Sequence, residues 1–253
     1  MNLDRIIAVR TNKTVYRDGD FAIKVFDRDY SKADVLSEAL NQARVEDCGL
    51  FIPKIIEVKM MEGRWVMISE FIKGKTLDRI MSENPEKEDF YLDMFVSLQM
   101  EVHSKCCPHL ARLKDKLNLK ICESELDATA RYDLHTRLAE APRHSKLCHG
   151  DFNPSNIIIN DSEEPYILDW SHASQGNASA DAAQTYLLLS LDGKRELAEK
   201  YAELFCQKSG TQRQYIDTWI PIMAAAYSVS CRPENKEILL RWARLTSGTQ
   251  TGM

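Results

Sequence analysis

The first seventy residues alternate between apolar and polar positions in a pattern typical of short β-strands. Apolar positions at 15–16 and along 21–26 flank the turn sequence Asp-Gly-Asp at 18–20, which predicts a β-hairpin. Two further strand patterns cover 55–58 and 65–68, with a Glu-Gly turn between them. We therefore predict an antiparallel sheet in this part of the chain.

One helical pattern interrupts these strands from Ser31 to Glu46. Its apolar positions keep helical spacing and comprise Val35, Leu36, Ala39, Leu40 and Ala43. After residue 73 helical patterns dominate, and the clearest of them cover 89–104, 178–191, 194–208, 212–230 and 234–246. A short hairpin is predicted within this helical part, with strands at 157–159 and 166–168.

These elements predict an α+β fold with two lobes. The N-terminal lobe, residues 1–72, holds a small antiparallel sheet with one helix, and the C-terminal lobe, residues 73–253, is larger and mainly helical. At 253 residues the chain is long enough to bury a substantial core in this arrangement.

Composition and charge narrow the environment and the partners of this fold. The formal net charge of -5 argues against non-specific attraction to nucleic acid or to anionic lipid. No apolar run has the length of a membrane span, and charges interrupt the start of the sequence, where a signal peptide needs an apolar stretch. Seven cysteines without C-x-x-C spacing indicate reduced thiols, so we expect a cytoplasmic protein. The sequence carries no information on oligomeric state.

The residues with the clearest chemistry lie between 147 and 173, around the predicted hairpin. Phosphoryl transfer needs a carboxylate that accepts the proton of the attacking hydroxyl, and hard oxygen ligands that hold magnesium on the phosphates. Asp151 suits the first role. Asn156 and Asp169 suit the second, because the two ends of a hairpin lie side by side.

The sequence HGDFNPSN at 149–156 resembles the HGDxxxxN catalytic loop of aminoglycoside phosphotransferases, choline kinases and related small-molecule kinases. The sequence ILDW at 167–170 is similar to the family's segment that stands where protein kinases have Asp-Phe-Gly. The resemblance implies a two-lobed protein-kinase-like fold, with Asp151 as catalytic base and Asn156 and Asp169 as Mg2+ ligands. It also implies that Asp181 opens a helix and braces the catalytic loop.

The same resemblance assigns nucleotide-binding residues to the N-terminal lobe. Lys24, in the sequence FAIK, stands where the family has the lysine that grips the α- and β-phosphates, and Glu38 is its expected partner, with Glu46 as the second choice. Glu70 and Ile72 correspond to the connector whose main chain binds the nucleotide base.

The segment 10–16 corresponds to the loop that covers the phosphates, with Thr11 and Asn12 as nucleotide-binding residues. It resembles the family's Asn-x-Val-Tyr pattern, yet it contains no glycine, whereas protein kinases have a glycine-rich loop there. The absence of glycine puts the main-chain cover of the phosphates in question.

The resemblance therefore implies a kinase that transfers the γ-phosphate of ATP or GTP to a hydroxyl of a small metabolite or antibiotic. Only eleven residues separate Asp169 from Asp181, too few for the activation segment on which protein kinases bind peptides. Aminoglycosides, choline-like molecules, sugars and nucleosides remain open as acceptors. The alternative is a catalytically silent nucleotide-binding or scaffold protein of the same fold, which the glycine-free loop favours.

Overall fold

The computed structural model describes residues 5–10 and 12–245. The chain forms two compact units. The first unit runs to Tyr91 and includes Pro154–Ala173, and the second contains Leu92–Asn153 and the chain from Ser174 onward. The lobe boundary after residue 72 stays a prediction beside this division.

The strands of the described residues are β1 (Arg5–Arg10), β2 (Lys13–Asp18), β3 (Phe21–Phe26), β4 (Ile55–Met61), β5 (Arg64–Glu70), β6 (Gly74–Thr76), β7 (Lys146–Cys148), β8 (Ile157–Asn160), β9 (Pro165–Ile167) and β10 (Ser174–Gly176). Their α-helices are α1 (Lys32–Val45), α2 (Leu77–Glu83), α3 (Glu88–Ser104), α4 (Leu113–Glu123), α5 (Ala128–Glu140), α6 (Ala178–Leu191), α7 (Arg195–Ser209), α8 (Arg213–Asp217), α9 (Ile220–Tyr227) and α10 (Pro233–Ala243).

The sheet of the first unit is antiparallel, with the strand order β1-β2-β3-β5-β4. Val15 of β2 pairs with Lys24 of β3, and Lys13 pairs with Phe26. Because side chains alternate between the two faces of a sheet, Lys13, Val15, Lys24 and Phe26 share one face. The opposite face buries Ile23 and Val25 of β3 with two residues of β5. The predicted antiparallel sheet is confirmed.

Helix α1 begins after Ser31, whose side chain accepts a hydrogen bond from the main-chain N–H of Asp34 and so caps the helix. Val35 and Ala39 pack against Phe26 and Met67 of the sheet. Leu36 and Leu40, which the apolar pattern places on the same helix face, are instead 45% and 49% exposed. The buried face of α1 therefore carries polar residues in place of part of the predicted apolar stripe, namely Glu38, Asn41 and Gln42.

The predicted hairpin is present as β8 and β9, which form a second sheet of the first unit together with β6. A short 3-10 helix, Pro154–Asn156, leads into β8, and another, Trp170–His172, follows β9. Trp170 is fully buried and donates a hydrogen bond from Nε1 to the carbonyl of Ile167, 3.1 Å away. The hairpin thus has a well-anchored base.

The second unit is mainly helical around aromatic core residues that include Phe95, Phe152 and Tyr201. The strands β7 and β10 pair within it. Gly176 of β10 lies so close to α4 that a Cβ atom there would come within 2.5 Å of the Leu113 Cβ. The helix predicted over 212–230 is wrong as one element, because α8 ends at Asp217 and α9 starts at Ile220. No helix among the described residues has the length and apolar character of a membrane span.

Candidate active site

Two lysines and two carboxylates form an ion-pair cluster in the first unit. The Nζ of Lys24 contacts Oε1 of Glu38, which is 3% exposed. The Nζ of Lys13 lies 3.2 Å from both Glu38 carboxylate oxygens and 3.4 Å from Oδ2 of Asp169. Lys24 also lies 3.9 Å from Oδ1 of Asp169. The cluster therefore contains equal numbers of positive and negative groups.

The register of the sheet explains why both lysines reach Glu38. Lys13 and Lys24 lie on the face that packs against α1, and Glu38 is on the buried face of that helix. Glu46, the second choice as partner of Lys24, instead accepts a hydrogen bond from the main-chain N–H of Ile55, 2.8 Å away. The helix carboxylate that pairs with Lys24 is therefore Glu38.

Asn156 and Asp169 stand at the two ends of the β8–β9 hairpin. The main-chain N–H of Leu168 donates to the carbonyl of Asn156 at 2.8 Å, so the hairpin base joins the segments that carry the two residues. Asp169 has the left-handed backbone angle φ of 58°, which is uncommon outside glycine and is often found at functional sites. This turn directs the chain from β9 into the following 3-10 helix.

The oxygens of Asp169 fit a hard cation. Its Oδ1 is buried and accepts no hydrogen bond from any residue that the structure describes. A buried carboxylate oxygen without a donor is costly unless another positive group approaches it. Asn156, which is 7% exposed, contributes an amide oxygen of the kind that magnesium also accepts. Among the described residues, His, Cys, Asp and Glu side chains form no metal-binding group of three or more.

The charges of the cluster shift the ionisation of its members. Burial alone would raise the pKa of Asp169, but the positive charges of Lys24 and Lys13 hold that pKa well below its ordinary value. Burial would lower the pKa of Lys13, whereas Asp169 and Glu38 raise it above the ordinary lysine value. Lys13 and Asp169 are thus both held in their charged forms.

A cavity of about 670 Å3 in the first unit is lined by three members of this cluster, and Glu38 lies behind them. Lys13, Lys24, Asn156 and Asp169 line it, and so do the predicted connector residues Glu70 and Ile72. The main-chain N–H of Glu70 donates to the carbonyl of Lys54 at 3.0 Å. The size of the cavity is in the range of nucleotide and other small-molecule sites.

The two residues predicted in the segment 10–16 have different outcomes. Thr11 lies outside the described residues. Asn12 is exposed in the turn before β2, and its carbonyl accepts a hydrogen bond from the main-chain N–H of Asp27 at 3.0 Å. The side chain from this segment that enters the ion-pair cluster is that of Lys13. Nucleotide binding by Thr11 and Asn12 stays a prediction.

Asp151 lies in the second unit, in the loop that follows β7. Its main-chain N–H donates to Nδ1 of His149 at 3.2 Å. The side-chain amide of Asn153 donates to the Asp151 carboxylate oxygen Oδ1 at 3.2 Å and to the Asp151 carbonyl at 3.1 Å. These bonds hold the carboxylate in one orientation, as a general base requires.

Asp181 of α6 braces the same loop within the second unit. It accepts hydrogen bonds from the main-chain N–H groups of Gly150, at 2.7 Å, and His149, at 3.2 Å. Its Oδ2 also lies 2.9 Å from Nε2 of His103. Burial would raise the pKa of Asp181, but its hydrogen bond to His103 and the nearby histidines hold that pKa below its ordinary value. The loop is therefore anchored to a helix by a buried, charged acceptor.

The sequence profile of the phosphotransferase enzyme family matches residues 5–216. The chain belongs to this family. It is therefore a phosphotransferase that uses an alcohol group as acceptor. No curated protein sequence matches the chain.

Solved structures of similar fold include kinases of small molecules. A thermostable mutant of aminoglycoside phosphotransferase APH(4)-Ia, in a ternary complex with AMP-PNP and hygromycin B, has a TM-score of 0.70 and 14% identity, with 94% of this chain and 89% of that chain covered. The choline kinase LicA from Streptococcus pneumoniae has a TM-score of 0.65 and 15% identity, with 95% and 93% covered. The likeness confirms the predicted protein-kinase-like α+β fold.

Two residues of the candidate site are missing from the sequence-based predictions. Lys13 is one of the two residues between Asn12 and Val15, and strand alternation from Lys24 across the hairpin would have placed it on the same face. Asn153 orients Asp151 by donating from its side-chain amide to that residue, and it lies only two positions further along the predicted catalytic loop. Both signals were present in the sequence.

Proposed function

We propose that this phosphotransferase moves the γ-phosphate of ATP or GTP to a hydroxyl group of a small metabolite or antibiotic. The observation that carries the proposal is the position of Lys13, Lys24 and Asp169 on the wall of one cavity, with Glu38 paired to both lysines. It places two cations for phosphate beside a carboxylate oxygen that lacks a hydrogen-bond donor among the described residues.

Lys24 binds the α- and β-phosphates in this proposal, and Glu38 holds its ammonium group in position. Lys13 supplies a second cation for the phosphates, because it reaches the same two carboxylates from the neighbouring strand. Glu70 and Ile72 contact the nucleotide base through their main chain. No hydrogen bond from the Ile72 N–H to another described residue competes with that contact.

Asp151 acts as the catalytic base. As the oxygen of the acceptor hydroxyl bonds to the γ-phosphorus, its proton moves to the Asp151 carboxylate, and the bond from the γ-phosphorus to the bridging oxygen breaks to release the nucleoside diphosphate. Asn153 keeps the carboxylate in place, and Asp181 holds the loop.

Asn156 and Asp169 are the proposed ligands of Mg2+. When bound there, the ion would supply positive charge that neutralises the charge developing on the phosphates. The low pKa of Asp169 keeps its carboxylate ionised at every physiological pH, so the ligand needs no deprotonation when the metal arrives.

The acceptor is proposed only as a class. One structural neighbour was crystallised with hygromycin B, and another is named a choline kinase. Hygromycin B and choline are both small molecules that carry hydroxyl groups. The short segment between Asp169 and Asp181 excludes a long platform for peptide substrates. We therefore propose a hydroxyl-bearing small molecule as the partner, and neither nucleic acid nor a membrane surface.

The proposal is tested by melting temperatures with ATP and GTP, each with and without magnesium, followed by a screen of hydroxyl-bearing metabolites and aminoglycosides for nucleotide consumption. We expect a magnesium-dependent rise in melting temperature that Asp169→Ala abolishes. Asp151→Ala should retain this rise and lose turnover by at least about a hundredfold. Unchanged turnover in Asp151→Ala would refute its role as base.

The second candidate function is a catalytically silent nucleotide-binding or scaffold protein, which the glycine-free segment 10–16 favours. A rise in melting temperature without turnover of any acceptor would support the nucleotide-binding form. The absence of any rise at millimolar ATP or GTP would support the scaffold.

A further inference from the structure

A second cavity, of about 710 Å3, lies within the second unit. It is bounded by the start of α4, the connection from α5 to β7, and the end of β10. None of Asp151, Asn153 and Asp181 lines it. The cavity is therefore separate from the residues to which the proposed function assigns chemistry.

The lining of this cavity is strongly basic, although the whole chain is acidic. Four cationic side chains line it: Arg112, Lys114, Arg143 and Lys146. None of the four forms an ion pair with a carboxylate in the part of the chain that the structure describes. The single carboxylate on the lining, among the described residues, is Asp115. A cluster of this kind in a protein of net charge -5 is a local excess that needs an anion to balance it.

The cations are close enough to repel one another. Burial, together with the charge of Arg143, lowers the pKa of Lys114 below the ordinary lysine value. Lys114 is held in place by a hydrogen bond from Nζ to the carbonyl of Ala139, 3.1 Å away, and by another to the carbonyl of Ala141. Lys114 is thus held at the cavity although a second cation, Arg143, repels it.

The backbone adds positive potential to the same cavity. Helix α4 begins at Leu113, and Arg112 before it makes no side-chain cap. Helix α6 begins directly after Asn177, which also lines the cavity. Helix N-termini attract anions because their first N–H groups point outward and carry partial positive charge. The first N–H groups of α6 are partly satisfied by the Asn177 side chain, which accepts a hydrogen bond from the main-chain N–H of Ser179, so the uncapped start of α4 is the helix end that adds to the four cationic side chains.

Part of the cavity lining is apolar. Leu113, Leu138 and Trp219 are buried on its lining. Trp219 is 2% exposed, and its buried Nε1 donates to no acceptor among the described residues. The ring of Trp219 and the two leucines therefore offer an apolar surface to the non-polar part of a ligand.

We propose that this cavity is a binding site for a small molecule that carries a phosphate group. Arg112, Arg143, Lys114 and Lys146 bind the phosphate oxygens, and Leu138 with Trp219 packs against the rest of the molecule. The occupant is a small molecule because the positive charge surrounds a concave, apolar-floored cavity of ligand size. A nucleic acid would require an extended basic surface.

The site is tested by calorimetric titration of the purified chain with phenyl phosphate and inorganic pyrophosphate in magnesium-free buffer of low ionic strength. The test variant combines Arg143→Ser and Lys146→Ser, both at exposed positions, so that the fold is retained. The matched control combines Lys120→Ser and Arg241→Ser, which remove the same charge from exposed positions away from the cavity. Lys24→Met reports binding in the nucleotide cavity.

We expect one of the two probes or both to bind wild type at one molecule per chain. The affinity should fall at least about tenfold in the test variant and change by less than about twofold in the control and in Lys24→Met. Absence of binding, equal affinity in the test variant, or loss of binding in Lys24→Met would each overturn the proposal. Binding of a single-stranded oligonucleotide without binding of either probe would also overturn it, in favour of a macromolecular surface.

Discussion

Replacing Lys13 by methionine perturbs the candidate site without removing a residue that the sequence resemblance singled out. The change keeps an unbranched side chain of similar length and deletes its positive charge. Lys13 contacts both oxygens of Glu38 at 3.2 Å and Asp169 at 3.4 Å, and it is 15% exposed. The two carboxylates then share only Lys24, so the cluster changes from neutral to negative.

The expected cost follows from these contacts. Loss of one partner from a buried ion pair costs about 3–5 kcal/mol, and exposed pairs cost about 0–1 kcal/mol. Lys13 is mostly buried, and Lys24 still neutralises part of the charge, so we expect the free energy of unfolding to fall by about 1–3 kcal/mol. The loss of one charged hydrogen bond to a phosphate should weaken nucleotide binding by about ten- to a hundredfold.

Equilibrium urea unfolding and calorimetric titration with magnesium-ATP measure the two quantities separately. Lys59→Met is the matched control, since Lys59 lies on the same sheet and pairs with Glu57 at the surface. Lys13→Arg should retain most of the affinity because it retains the charge. Lys13→Met could destabilise the fold and still bind magnesium-ATP as tightly as wild type, while Lys24→Met binds it more weakly. In that case Lys13 is a structural ion-pair partner and not a phosphate ligand.

Two further predictions concern buried ionisable groups of the second unit. The pKa of Asp181 is below its ordinary value of 3.8, so its contribution to stability is complete above that pH and is lost as pH falls below it. Asp181→Asn should therefore lower the free energy of unfolding at pH 7 by about 3 kcal/mol and by a smaller amount at pH 3, as urea titrations at both pH values would show; a larger loss at pH 3 than at pH 7 would contradict this. Burial lowers the pKa of Lys116 from 10.5 to about 8. Below pH 8 the folded protein therefore carries this amine in its charged form, at a cost in stability. Lys116→Met should raise the melting temperature at pH 7 and raise it less at pH 10, whereas no gain at pH 7 would contradict the burial of a charged amine.

Much of the catalytic segment could be predicted from sequence because its spacing is short and its chemistry is specific. The hairpin around residue 162 and the joint position of Asn156 and Asp169 at its ends follow from local order along the chain, whereas the pairing of Lys24 with Glu38 came from the resemblance to the family, with Glu46 as the second choice. The left-handed backbone of Asp169 does not follow in the same way, since no residue type forces φ to 58° there. It arises from the constraint of joining β9 to the next 3-10 helix.

The buried face of α1 was harder to predict because polar contacts, and not apolar residues alone, determine which side of the helix faces the sheet. Periodicity alone turns Leu36 and Leu40 inward, yet both are exposed. Glu38 must face the lysines of the sheet, and Gln42 donates from its side chain to the carbonyl of Pro53 at 2.7 Å. These polar contacts rotate the helix away from its most apolar orientation, which is the kind of local conflict that functional sites show.

The shortest strands escaped prediction for a different reason. Strands of three residues, such as β7 and β10, contain too few positions for an alternating pattern to be recognised. Their pairing depends on the contact between Gly176 and α4, which no local signal encodes. The basic cavity of the second unit is bounded in part by these strands, so its lining could not be predicted from local sequence patterns.

The charge balance of the ion-pair cluster affects how a site with the glycine-free segment 10–16 can bind phosphates. In glycine-rich loops, main-chain N–H groups cover the phosphates. Here Lys13 belongs to that segment and brings a full positive charge to the cavity, which can replace several partial ones. Because Glu38 and Asp169 already balance the two lysines, the phosphates of a nucleotide would enter a neutral site and gain little attraction from it. A divalent cation on Asn156 and Asp169 would supply the missing charge, so nucleotide binding should depend on magnesium more strongly than in a site where the lysines are unpaired.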